Sequence, residues 1–157
     1  MKRLLLAVLF VLGLAVNSYA AAAGACTPLI ETIPGSDLQK VTFTCVASAG
    51  GAVSEVGSIV ISGTLVAFEY DVGATCPDDL FDVEILDGTQ SGGLDILKTF
   101  GANLPNGTDT AFTHSVIYRS LFTVDGGYMP MMNKTLTPSI TNAGAASNII
   151  LYLYFIK

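Results

Sequence analysis

Positive charge is scarce in this chain. Its 157 residues carry 7 Lys and Arg against 13 Asp and Glu, a formal net charge of −6. A deficit of cations excludes phosphate-driven binding of nucleic acid and attraction to anionic membrane surfaces. Histidine is nearly absent, with His114 alone, and cysteine is limited to Cys26, Cys45 and Cys76. That set is too small and wrongly spaced for a zinc site. The chain has no nucleophile-elbow motif, no EF-hand spacing and no motif that asks for a cofactor. It has no linker, no second domain, no internal repeat and, beyond residue 20, no sustained helical period.

What is present begins at the N-terminus. Lys2 and Arg3 precede an unbroken apolar run from Leu4 to Val16, and Ser18-Tyr19-Ala20 ends it with small residues at cleavage spacing. This three-part pattern predicts a secretory signal peptide over residues 1–20. The run is shorter than the roughly 20 residues a bilayer span needs, so no membrane insertion of the mature chain is expected. Losing Lys2 and Arg3 takes the mature chain to about −8, because every acidic residue lies after residue 20. The expected location is periplasmic or extracellular, where disulfides persist. Ala23-Gly24-Ala25-Cys26 resembles a lipobox. It lacks the bulky aliphatic residue usual at the Ala23 position and sits well past the apolar run. Ordinary cleavage between Ala20 and Ala23 is the simpler reading.

From residue 26 to 157, apolar residues recur at a spacing of two, with turn residues between the runs. Pro28–Ile33 and Leu38–Ala47 flank Pro34-Gly35-Ser36-Asp37, where Gly35-Ser36 suits a type II′ hairpin turn. The resulting register sets Cys26 against Cys45, Ile30 against Val41 and Glu31 against Lys40. It sorts apolar from polar faces, pairs opposite charges and predicts a Cys26–Cys45 disulfide with Cys76 left unpaired, the rival being Cys45–Cys76, which lipidation of Cys26 would favour. Pro28 is tolerable only on an edge strand. Val56–Ser62 and Thr64–Val72 read as strands broken at Gly63, with Val66, Phe68, Tyr70 and Val72 sharing a face. Leu80–Leu86, one or two strands within Ala111–Val124, and Lys134–Thr141 follow. Asn148–Ile156 is apolar on both faces, so it should be central and covered on both sides, or covered by a neighbouring subunit. Some nine short strands predict an all-β fold, a single β-sandwich of immunoglobulin-like or jelly-roll type over residues 26–157.

Candidate sites are few. His114 with Ser115 and Asp109 has the residue types of a hydrolytic triad, but His114 reads better as a polar strand position. Asp71, Asp78, Asp79, Asp82, Glu84, Asp87 and Asp95 are dense enough to raise calcium, and are better explained as a solvated strand face plus turn-forming residues. Asn106-Gly107-Thr108 and Asn133-Lys134-Thr135 fit the glycosylation pattern and read as turns. Tyr128-Met129-Pro130-Met131-Met132 is apolar where loops are usually polar. Tyr128, Met129, Met131 and Met132 therefore form either an interaction loop or a plug over one end of the core.

Gly63, Thr75-Cys76-Pro77-Asp78-Asp79-Leu80-Phe81-Asp82-Val83, Leu86-Asp87, Leu94-Asp95-Ile96-Leu97 and Leu136–Gly144 together carry a family resemblance. From Gly63 onward the chain resembles a family of small structural-type proteins of tailed phages and prophages. The resemblance implies a β-sandwich and a particle-associated or accessory role, with no activity to transfer. The chain departs from that family in its export signal and in Cys26 and Cys45.

The sequence thus leads to an exported, non-enzymatic structural or surface-interaction protein, phage-related and particle- or envelope-associated. It expects a protein partner or self-assembly and no cofactor. A fimbrial or adhesin-type subunit, or a sandwich that binds glycan or calcium through aromatic and carboxylate groups, stand as alternatives.

Overall fold

The computed structural model describes residues 24–53, 55–89, 92–97, 101–105, 116–119 and 130–157. Its strands are β1 (Ala25–Thr32), β2 (Leu38–Val46), β3 (Glu55–Val56), β4 (Ile59–Val72), β5 (Asp82–Asp87), β6 (Leu94–Asp95), β7 (Val116–Arg119), β8 (Pro130–Thr141) and β9 (Asn148–Ile156). No α-helix occurs among the described residues. The fold is all-β.

The first hairpin follows from local chemistry. β1 pairs antiparallel with β2 in the expected register, with Cys26 opposite Cys45, Ile30 opposite Val41 and Glu31 opposite Lys40. The turn differs from expectation. Ser36 N–H donates to the Ile33 carbonyl at 3.2 Å, so Pro34 and Gly35 are its central residues. Gly35 has φ of 77°. Proline followed by a left-handed glycine is the type II arrangement. The register survives because Ile33 N–H still closes on the Leu38 carbonyl at 3.0 Å. Cys26 turns its carbonyl away from β2, accepting from Gly57 N–H at 2.9 Å. Pro28, two residues on, points its donor-less nitrogen to that same side, where the two-residue β3 has already ended.

All nine strands belong to one sheet, in the order β3-β1-β2-β9-β4-β8-β5-β6, with β7 beside β4. The sheet curls so that its two halves face each other. β4 joins them: residues 59–64 pair with β8, and residues 64–72 pair with β9. The Val53–Ile140 bridge ties the segment before β3 back to β8. The expected sandwich is thus two layers of one continuous sheet rather than two separate sheets.

β4 runs unbroken through Gly63, where a break was expected, and absorbs the bend with register shifts at 61/63 and 65/67. Gly63 has φ of 144°, and a Cβ there would lie 2.6 Å from the Ile156 carbonyl oxygen. The first shift places its extra residue in β8, between Met131 and Lys134, and leaves the alternation of β4 intact; the second places Val66 as an extra residue in β4 and slips its period of two. Ile61 and Leu65 therefore point inward before the second shift, and Phe68 and Tyr70 after it. Val66, expected on the Phe68 face, lies outside that inward set. β5 starts at Asp82, not Leu80, because Leu80 takes a left-handed backbone with φ of 61°.

The core lies between the layers. Val41, Phe43 and Cys45 of β2 and Ile149, Leu151, Leu153 and Phe155 of β9 meet Val83 and Ile85 of β5 and Leu136 and Ile140 of β8. Tyr70 stands edge-on to Phe81, with ring centroids 5.7 Å apart. Burial on this scale is the main stabilising term of a domain this size.

Candidate functional site: the outer face of the β2–β9–β4 layer

β9 lies between β2 and β4, the central place its two apolar faces predicted. Its odd-numbered residues are fully buried. Its even-numbered residues Ile150, Tyr152 and Tyr154 are only half-buried, and Ile156 is exposed. The described residues therefore cover one face of β9 completely and the other in part.

Register decides what stands beside the tyrosines. Tyr154 lies between Lys40 of β2 and Ala67 of β4, and Tyr152 between Thr42 and Glu69. Ile150 lies between Thr44 and Asp71. Along the diagonals the side chains interlock. The Lys40 ammonium sits 4.2 Å from the centroid of the Tyr152 ring, a cation–π contact. The Tyr154 hydroxyl donates to Glu69 Oε2 at 2.9 Å.

These surroundings hold both phenols neutral. Partial burial first, then the hydrogen bond to Glu69, push the Tyr154 hydroxyl up to about 12. Partial burial, with the negative charges of Asp71 and Glu69, also raises Tyr152. The face thus carries two aromatic rings with proton-bearing hydroxyls beside Lys40, Glu69 and Asp71, and register adds Glu31 of β1 next to Lys40 and Arg119 of β7 next to Ala67.

The other sequence candidates fall out differently. Cys26 and Cys45 are bonded, with their Cα atoms 4.0 Å apart. Cys76 is free and exposed. The Tyr128–Met132 segment is not one apolar loop, because β8 already begins at Pro130. Met131 is 3% exposed and belongs to the core, whereas Met132 is 82% exposed. This corrects the interaction-loop expectation for Met131: strand alternation sends its side chain inward and that of Met132 to solvent. Tyr128 and Met129 lie outside the described residues, as do Asp109, His114, Ser115 and the Asn106–Thr108 sequon. Asn133 lies in β8 with φ of 48°, its N–H bonded to the Ser62 hydroxyl.

Three of the candidate carboxylates are engaged in contacts within the fold. Asp82 accepts from Asn103 N–H at 2.8 Å and from the Asn142 amide at 3.1 Å. Asp95 accepts from Ile85 and Leu97 N–H. Asp87 pairs with Lys134 at 3.0 Å. No group of three metal-ligating side chains occurs among the described residues. A separate open groove of about 450 Å³ lies where β4 outruns β9, lined by Gln39, Val60, Ile61, Ser62, Gly63 and Lys157.

The Lys40–Tyr152–Tyr154–Glu69 cluster was not foreseen as a unit. Its signal was the second apolar face of β9 combined with the hairpin register that placed Lys40. No family model, curated protein or solved structure matches the chain.

Proposed function

We propose that this chain is an exported, non-enzymatic surface-interaction protein that works through the outer face of its β2–β9–β4 layer, in a particle- or envelope-associated setting. The observation that carries the reading is the outward side of β9, which holds Ile150, Tyr152 and Tyr154 half-buried in the middle of the sheet. Aromatic side chains in such a position are the commonest anchors of recognition surfaces. The signal-like N-terminus supports export, and the Cys26–Cys45 bond suits an oxidising compartment. The resemblance to phage-encoded structural proteins supports the particle or envelope setting.

The test is expression of residues 1–157, followed by cell fractionation and intact-mass measurement. The expected product is cleaved between Ala20 and Ala23 and recovered outside the cytoplasm, on a particle or envelope fraction. Uncleaved protein retained in the cytosol overturns the reading.

A further inference from the structure

We infer that the outer face of the β2–β9–β4 layer binds an uncharged glycan chain, with Tyr152 and Tyr154 as its stacking platform and Glu69, Asp71 and Lys40 as its hydrogen-bonding rim. This rests on the surface-interaction reading and names the ligand of that surface.

Rigidity is the first ground. Tyr152 and Tyr154 are two residues apart on one strand, so their rings rise from the same face about 7 Å apart along it. The strand beneath is anchored by Leu151, Leu153 and Phe155, all at 0% exposure. The rings are themselves held, one under the Lys40 ammonium and the other through its hydroxyl to Glu69. A platform ordered before binding loses little conformational entropy on binding. The C–H faces of a pyranose lie flat on such rings. Opposite Tyr154 on β4 stands Ala67, a small side chain, with Arg119 of β7 paired to its other side.

Charge complementarity selects among occupants. A lipid or purely apolar protein surface would strip water from Lys40, Glu69 and Asp71 and give nothing back, a severe cost for charged groups. A polyanion would meet three carboxylates, Glu31, Glu69 and Asp71, against Lys40 and Arg119, on a chain of net charge −6. An uncharged polyol meets both signs at once. Its hydroxyls donate to Glu69 and Asp71 and accept from Lys40, while its apolar face takes the rings. The Lys40 ammonium covers one face of the Tyr152 ring, so a sugar ring stacks there as the flexible lysine stem swings aside to its hydroxyls.

The experiment uses the exported protein purified from the compartment it reaches. It is mixed with microcrystalline cellulose, chitin, curdlan, amylose and yeast mannan, with polygalacturonate as an anionic control. Expected is retention on at least one neutral polysaccharide and none on polygalacturonate. Tyr152→Thr/Tyr154→Thr should weaken retention at least tenfold, because threonine preserves the strand and removes the rings. Val60→Thr, in the separate groove, should leave it unchanged. For the wild-type protein, NMR shifts induced by a soluble hexasaccharide of the retained polymer should cluster at residues 150–154 and 67–71, a readout that does not depend on any variant folding.

The inference is overturned by failure to bind any neutral polymer, by shifts elsewhere, or by a double variant that folds and binds like wild type. It is equally overturned if the double substitution turns a dimer into a monomer and no glycan binds, since a second copy is then the occupant. In each case an exported, cleaved protein leaves the broader surface-interaction reading standing.

Discussion

Met131 and Met132 offer a test of how β8 divides core from surface, because one strand turns identical side chains to opposite sides. Met131 is 3% exposed and Met132 is 82% exposed. Truncating Met131 to Ala removes a buried side chain whose transfer from water is worth about 1.5–3 kcal/mol. The cavity left behind adds to this, and buried Met→Ala changes cost about 2–5 kcal/mol in all. Met131 faces Gly63 across the ladder at the bend of β4, where the shifted backbone is fixed by its contact with Ile156 and leaves little scope for collapse. A cost of about 3 kcal/mol is therefore expected. Met132→Ala gives up no buried contact and should stay within about 0.5 kcal/mol of wild type.

The assay is urea unfolding followed by fluorescence and circular dichroism, with equal slopes required so that midpoints compare directly. The double variant should equal the sum within about 0.5 kcal/mol, since one side chain is buried and the other stands in solvent. Equal effects of the two single changes, or a cost below about 1 kcal/mol for Met131→Ala, would refute the assignment of Met131 to the core. Serine at Met132 tests the remaining solvent-facing part of the apolar segment. Loss of association without loss of stability would make Met132 a partner contact.

Three further outcomes are expected. Cys26→Ala/Cys45→Ala should cost about 3 kcal/mol in the same assay, from the loop entropy of a crosslink spanning 19 residues, whereas Cys76→Ser should change stability little. The Lys134 hydrogen bond, then that from Leu94 N–H, hold the Asp87 carboxyl below its usual range, so its contribution is present above the ordinary carboxylate pKa and is lost as pH falls through the folded-state value. Asp87→Asn should thus be less stable than wild type at neutral pH, with the gap closing in strong acid in a pH series of urea midpoints. Tyr154 titrates at about 12 in the folded state against 10.0 for a free phenol, so its contribution is complete below pH 10 and disappears as pH rises toward 12. In an ultraviolet tyrosinate titration of the folded protein, Tyr154→Phe should remove a component near pH 12, and its loss near pH 10 instead would break the assignment.

The hairpin was readable because several independent constraints coincide there. Cys26 with Cys45, Glu31 with Lys40 and Ile30 with Val41 all demand one register, and a one-residue slip would violate all three. Even a misassigned turn left the pairing intact, since Pro34-Gly35 and Gly35-Ser36 both return the chain between Ile33 and Leu38. β9 was readable for a similar reason: a strand apolar on both faces has no stable place at an edge.

β4 and β8 resisted the same treatment. A period of two is informative only while it is kept: β8 abandons it opposite Gly63, and β4 abandons it at Val66. Gly63 signalled an irregularity in the sequence, but a break and a bulge leave the same local trace. The sequence reads Pro130 as part of an apolar loop, whereas pairing with Thr64 draws the residue into the sheet.

The outer-face cluster depends on that long-range pairing most of all. Glu69 and Tyr154 are 85 positions apart and meet only because β4 lies beside β9. Lys40 reaches Tyr152 only because β9 inserts on the far side of β2. Local pattern indicated which residues of β2 and β9 point outward. Which strands are neighbours, and so which outward residues form one surface, followed from how the sheet closes its core. A recognition face on a β-layer is therefore written in the sequence as separate periodic lines, and strand order supplies the step that sets Tyr152 and Tyr154 between an ammonium and a pair of carboxylates.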